Sequence, residues 1–457
     1  MRWFPLAVVA AFQQPLRMPL DEWAVEQSRH CVDGILANIG KDAGVPPGVV
    51  VASPSKRHPD YFYQWTRDSA LVMSTLLDIA AADKHYRDVV VKAVGDYVDN
   101  QYKLQRLDTL SGTFSGNRSG LGEPKYYVNN TAFNQSWGRP QSDGPALRVV
   151  TIARYLDVIG DKKGHKIYED VVRYDLEYVL EHWQQPGFDL WEEIEGLHFY
   201  TALVQSRAIE VGIQLASRFG DKKLLAKLEE ATPKIISFIK NTFPRRGVII
   251  ETPEEYKKGN RRSIDVAVVL ASLHTHGANS SVPFDVDNIL ITNSLGLLVE
   301  QMRAEYDINK KSKGVAIGRY TEDIYDGYET SQGNPWFLAT AGVAEAIYRV
   351  IIKHHEQDTA ISFESTDWLA RFTDNTSLKP GTREYSTFAE ALFGYADSFL
   401  DVIRIHSGED GSLSEQFNRH NGFMQGAPNL TWSYAAVWSA IQARSKAQTV
   451  LKSVAKL

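Results

Sequence analysis

Apolar positions recur at the three-to-four-residue spacing of an amphipathic helix over most of the chain, in windows at 21–38, 67–82, 86–103, 144–159, 166–184, 199–219, 222–242, 263–274, 285–305, 335–353, 383–407 and 429–446. Few stretches alternate with the two-residue period of a strand. The pattern predicts about a dozen helices in one all-α domain. Some windows open on helix-start signals: Asp143 ahead of Pro145, and Asn334 ahead of Pro335. Asp285 in PFDVDN reads as another helix cap rather than as part of a calcium loop. The connections between alternate helices are long, which in a compact protein marks function or disorder, and their aromatic content argues against disorder.

Composition narrows the picture. A chain of 457 residues with 43% hydrophobic content can bury an extensive core. Length alone allows two or three domains, whereas the unbroken helical period argues for one. A net charge of −6 without basic clusters argues against nucleic acid as partner. No apolar run reaches the ~20 residues of a membrane span. The single cysteine, Cys31, rules out an intramolecular disulfide and reads as helix packing. His274 and His276 form a lone HTH, and His354 with His355 fall at a basic helix end, read as surface; no metal ligand set or cofactor is expected. Gly116, Gly120 and Gly122 precede no helix, so they cradle no phosphate.

Residues 1–20 begin MRWFPLAVVAAFQQ, either a brief signal peptide or an apolar N-terminal arm. Sequons at Asn117, Asn129, Asn134, Asn279, Asn375 and Asn429 permit glycosylation, though three of them, Asn129, Asn134 and Asn429, lie inside the aromatic loop motifs. A secreted or vacuolar monomer is expected.

The loops carry the chemistry. DLWEE at residues 189–193 sets two adjacent carboxylates behind a tryptophan, and an isolated carboxylate, Glu415, follows much later in SLSEQF. Glycoside hydrolysis needs one carboxyl group to protonate the leaving oxygen and another to act on the opposite face of the sugar. Four blocks rich in Trp, Tyr, Arg and Gly begin at Tyr61, Gly120, Gly187 and Asn429. Aromatic faces stack on pyranose rings while Arg and Asp hold hydroxyls, which is the composition of a carbohydrate pocket.

From about Asp21 to about Ala440 the chain resembles the fungal and yeast glucoamylases of glycoside hydrolase family 15. The matching segments, in the family's order, are YFYQWTRDSALV, GLGEPK, SWGRPQSDGPALR, DLWEE, PFDVDN, IGRYTEDIYDG, GNPWFLATA, SLSEQFNR and LTWSYAA. The resemblance implies an (α/α)6 barrel of six inner and six outer helices, with the site in loops at one end. It implies a catalytic domain over 21–457, and since no Ser/Thr-rich linker or β-rich region follows the last helical window, no separate starch-binding domain is expected. It gives Glu192 as general acid and Glu415 as general base. Arg67 and Asp68 would grip the terminal glucose. Glu193 and Arg319 would line the subsites, with Leu190 among the residues that touch substrate. Tyr61, Trp65, Trp137, Trp191 and Trp432 would wall the site, Lys125 would lie near its rim, and Asp189 would support the acidic pair. Asn129 and Thr321 depart from the family pattern, which bears on chain-length preference rather than on chemistry.

The implied activity is exo-acting, inverting release of β-glucose from the non-reducing ends of α-1,4-glucans, with slower α-1,6 cleavage. Burial against Trp191 and the neighbouring Glu193 would raise the carboxyl of Glu192, while Glu415 must stay ionised. Two other readings stay open: an exo-glucosidase of trehalase or dextran type on the same barrel, and a non-catalytic glucan-binding regulatory protein.

Overall fold

The computed structural model describes residues 18–277 and 280–454. Residues 1–17 of the expected signal peptide or arm, and the sequon at Asn279, lie outside the described residues. The apolar stripes become helices close to where the period marks them. In chain order these are α1 (Leu20–Ala37), α2 (Thr66–Ala82), α3 (Arg87–Gln105), α4 (Asp143–Ile159), α5 (Asp161–Ile167), α6 (Arg173–His182) and α7 (Phe199–Phe219). There follow α8 (Lys222–Thr242), α9 (Pro253–Lys258), α10 (Ala267–Thr275), α11 (Ile289–Glu305), α12 (Phe337–Gln357), α13 (Arg383–His406) and α14 (Thr431–Val454). Five antiparallel ribbons of two or three residues per strand tie the loops.

Burial sorts the helices into two rings. In α8 the buried residues Leu224, Leu228, Ala231, Ile235 and Ile239 form one narrow stripe, as expected of a helix with one face to water. In α10 eight of nine residues are buried, which requires neighbours all round. Following the contacts, α2 packs on α4, α4 on α7, α7 on α10, α10 on α12, α12 on α14, and α14 returns to α2. Outside this closed ring α3 covers α2, α6 covers α4 and α7, α8 covers α7, α11 covers α10, α13 covers α12, and α1 covers α14. With α5 and α6 counted as one broken helix, this is the expected (α/α)6 barrel around one contiguous apolar core. The hairpin between α7 and α8 shows why sequence fixes such joints: Gly220 ends α7 at φ 78° and Asp221 accepts the amide of Leu224 at 3.0 Å to start α8.

Several local expectations are corrected. The window 166–184 is not one helix, because a π turn at Tyr168–Val172 separates α5 from α6. Asp143 is the first residue of α4 and caps nothing, since its carboxylate is drawn to Arg67. Asn334 precedes α12 by three residues, and its amide bonds Gln416 and the backbone of Asp326 instead. Asn288, not Asp285, caps α11, while Asp285 pairs with Lys353. His354 is buried rather than at the surface. Cys31 is fully buried in packing, as expected.

Candidate active site

At the end of the ring where the inner helices begin, the loops that lead into them enclose a cavity of about 540 Å³. All the sequence-predicted site residues line it except Lys125 and Asp189. Arg67 and Asp68 sit in the first turn of α2 and Trp432 in that of α14, so these side chains are fixed by helices rather than by free loops.

Arg67 is the hub of one wall. It is buried, and its guanidinium reaches Asp68 at 3.1 Å, Gln141 at 2.9 Å, Asp143 at 3.3 Å and Glu192 Oε1 at 3.0 Å. Burial pushes the carboxyl of Asp68 up to about 6; Arg67 opposes this and the charges of Glu192 and Asp143 add to it. The second oxygen of Glu192 accepts from the indole of Trp137. The carboxyl is thus held between Arg67 and Trp137.

The acidic pair lies on a turn built to aim its two members apart. Glu192 has φ 67°, a left-handed conformation that non-glycine residues seldom adopt and that clusters at functional sites. Asp189 holds it from beneath. Its backbone carbonyl accepts the Glu192 amide at 2.9 Å, and its carboxylate accepts the amides of Glu193 at 2.7 Å and Ile194 at 2.9 Å. Arg261 closes on the same carboxylate at 3.1 Å. Burial would raise Asp189, but Arg261, His198 and the two amides outweigh it and hold it below the ordinary carboxylate range. Asp265 receives the indole N–H of Trp191 at 2.9 Å, which fixes that ring in turn.

Glu193 faces the other way. Arg319 meets it at 2.7 Å and Arg261 at 2.5 Å, with the Tyr320 hydroxyl donating to the same oxygen as Arg261. Arg319 is oriented by a bidentate pair with Asp323, at 2.7 and 2.5 Å.

Across the cavity, Glu415 is 1% exposed. Its backbone carbonyl accepts the amide of Phe337, the first residue of α12, at 3.3 Å, and its carboxylate accepts from Tyr325 at 3.3 Å. The hydroxyls of Tyr325 and Tyr61 lie 2.6 Å apart. Burial pushes the Glu415 carboxyl up to about 8, against the pull of Tyr61, Arg319 and Tyr325. Gly426 is required beside it: at φ 75°, a Cβ there would stand 2.4 Å from Glu415 Oε2.

Lys125 is not at the rim. It is 3% exposed, with its ammonium 3.6 Å from the ring centre of Trp137, 4.0 Å from Tyr63, 4.5 Å from Phe133 and 4.6 Å from Trp65. Burial lowers it to about 8. Of the two departures from the family pattern, Asn129 accepts from the Thr131 hydroxyl at 2.7 Å and Thr321 donates its amide to the Ser263 hydroxyl at 3.1 Å; neither lines the cavity. Sequence reasoning missed Asp143, Arg261, Asp265, Asp323, Tyr325 and Trp336. Tyr325 and Trp336 stood inside motifs already singled out, whereas Arg261 stood in none.

The profile of the glycosyl hydrolases family 15 matches residues 29–442. The chain is 38% identical over 444 residues to glucoamylase GLU1 of Saccharomycopsis fibuligera, covering 88% of this chain and 85% of that one. It is 36% identical over 481 residues to the intracellular sporulation-specific glucoamylase of Saccharomyces cerevisiae, covering 95% and 85%. The solved structure of a glucoamylase from Saccharomycopsis fibuligera superposes with a TM-score of 0.91 at 35% identity, over 95% of this chain and 97% of that one.

Proposed function

The chain belongs to the glycosyl hydrolases of family 15, and from that premise we propose that it is an exo-acting α-glucan hydrolase that releases glucose from non-reducing chain ends with inversion. The observation that carries this reading is the union, in one cavity, of Glu192, Glu415 and the Arg67–Asp68 grip. Arg67 and Asp68 hold hydroxyls of the terminal glucose, which leaves the next glycosidic oxygen at Glu192. Glu192 gives its proton to that oxygen as the C–O bond breaks. A water molecule attacks the anomeric carbon from the opposite face and passes its proton to Glu415, so the released sugar is β-glucose. A carboxyl of raised pKa is a strong base once ionised, which suits Glu415 to that transfer. Arg319 and Glu193, joined at 2.7 Å, line the subsites.

The substrate is an α-glucan, chiefly α-1,4-linked, with slower action on α-1,6 bonds. The enzyme acts as a monomer and as one catalytic domain over 21–457. A secreted or vacuolar site is supported by the apolar start and by exposed sequons at Asn117 and Asn375. Among the described residues no helix is long and apolar enough to cross a membrane.

Maltotriose hydrolysis followed by proton NMR tests the reading. Wild type releases β-glucose first, and Glu192→Gln and Glu415→Gln are each slowed by about 10²-fold or more, as lost acid–base catalysis requires. Initial α-glucose would overturn inversion, and no glucose at all would favour a different linkage or a non-catalytic glucan binder.

A further inference from the structure

On the outer wall of the barrel, away from the catalytic residues, a groove of about 350 Å³ runs between α3 and the segment formed by α5 and the π turn. That volume falls within the range of about 300–1,000 Å³ typical of ligand sites. Tyr102 lines the groove and is 41% exposed, while the other aromatic residue of the helix, Tyr97, is fully buried. The exposed ring is held in place. Arg106, one turn further on, lays its guanidinium 3.6 Å from the ring centre and donates to the Tyr102 carbonyl at 2.9 Å.

The opposite wall is the π turn Tyr168–Val172. Such turns recur at functional sites and disturb the helical hydrogen-bond ladder. Here two of its carbonyls are captured from α3: Arg106 donates to Asp170 O at 2.8 Å and Gln105 to Val171 O at 3.3 Å. Arg106 thus fixes both walls at once. The charges that line the groove balance, Lys163 and Lys166 against Asp99 and Asp170, with Lys166 paired with Asp170, while the Arg106 guanidinium outside the lining is taken up by the Tyr102 ring and two carbonyls. A rigid aromatic surface among hydrogen-bonding groups of no net charge suits a neutral, polyhydroxylated ligand rather than an ion.

We propose that this groove is a second α-glucan-binding site, distinct from the catalytic cavity, in which Tyr102 stacks on a glucose unit of a chain. The inference rests on the α-glucan reading of the active site. Its test uses β-cyclodextrin, a ring of α-1,4-linked glucose with no non-reducing end to enter an exo-acting pocket. In calorimetry on the full chain, wild type binds β-cyclodextrin, Tyr102→Ala binds it roughly tenfold more weakly, and Tyr102→Phe, which keeps the ring, stays close to wild type. Maltose turnover is the same in all three. Unchanged affinity in Tyr102→Ala, or no binding by wild type, would each overturn the proposal. Failure of the activity assignment would show separately, as absent maltose turnover.

Discussion

Glu415 carries two opposed demands: as a base it has to be ionised, yet the burial that shields it from bulk water pushes it up to about 8. The hydroxyl of Tyr61, the charge of Arg319 and the hydroxyl of Tyr325 resist that rise. Removing one hydroxyl in Tyr325→Phe therefore raises the carboxyl further, and the acid limb of kcat/KM, which reports ionisation of the free enzyme's base, moves to higher pH. A pH profile of kcat/KM that stays in place, or moves to lower pH, would refute this account of the tyrosine. At this scale the sequence was informative where a residue belongs to a motif, as Glu192, Glu415, Arg67 and Arg319 do. It was silent where the partner is remote in the chain. Arg261 meets Glu193 across 68 positions, and nothing in GNRRSID signals that meeting. Asp143 was misread for the same reason: beside Pro145 it looks like a cap, and only the fold brings Arg67 within 3.3 Å of it.

At the scale of elements, the turn from Asp189 to Ile194 does what a helix could not. On a helix, adjacent glutamates point about 100° apart around one axis; here the left-handed Glu192 sends one carboxylate to Arg67 and Trp137 and the other to Arg261 and Arg319. The conformation persists because Asp189 takes up two amides and an arginine. Asp189→Asn weakens all three contacts, and displacement of the acid by about 1 Å can cost on the order of 10² in rate. The expected outcome is kcat on maltotriose down by about 10²-fold with KM changed little, in a protein whose near-UV circular dichroism is that of wild type. A KM effect without a kcat effect would contradict it. Helices were legible as elements because their apolar period is strong. Their ends and the π turn were not, because caps and ladder defects depend on tertiary partners such as Arg106 and Gln105.

On the scale of the whole molecule, the closed ring has an acid sensitivity built into its core. His354 is 5% exposed, and burial, aided by Lys353 and opposed by Asp287, lowers it to about 4; half-buried His274 is lowered to about 3. A base whose folded pKa lies below its unfolded value of about 6.5 binds fewer protons in the native state. Its contribution is therefore fully present above about pH 6.5 and is lost as pH falls through the folded value. For His354 the loss is on the order of 3 kcal/mol. His354→Leu should show a smaller fall in Tm between pH 7 and pH 4 than wild type; an equal fall would locate the acid sensitivity elsewhere. The periodicity foretold the helices but not their closure, since whether α14 meets α2 depends on contacts between residues more than 350 positions apart.

That closure also bears on when the enzyme becomes competent. Glu415 and Trp432 come late in the barrel, long after Arg67, Asp68 and Glu192, and α14 must dock between α12 and α2 before the cavity has a complete wall. A nascent chain on the ribosome, even one already holding Arg67, Asp68 and Glu192, has no base and no finished pocket. Glucan hydrolysis is thus deferred until α14 has been made and has docked, a long-range closure that completes the molecule.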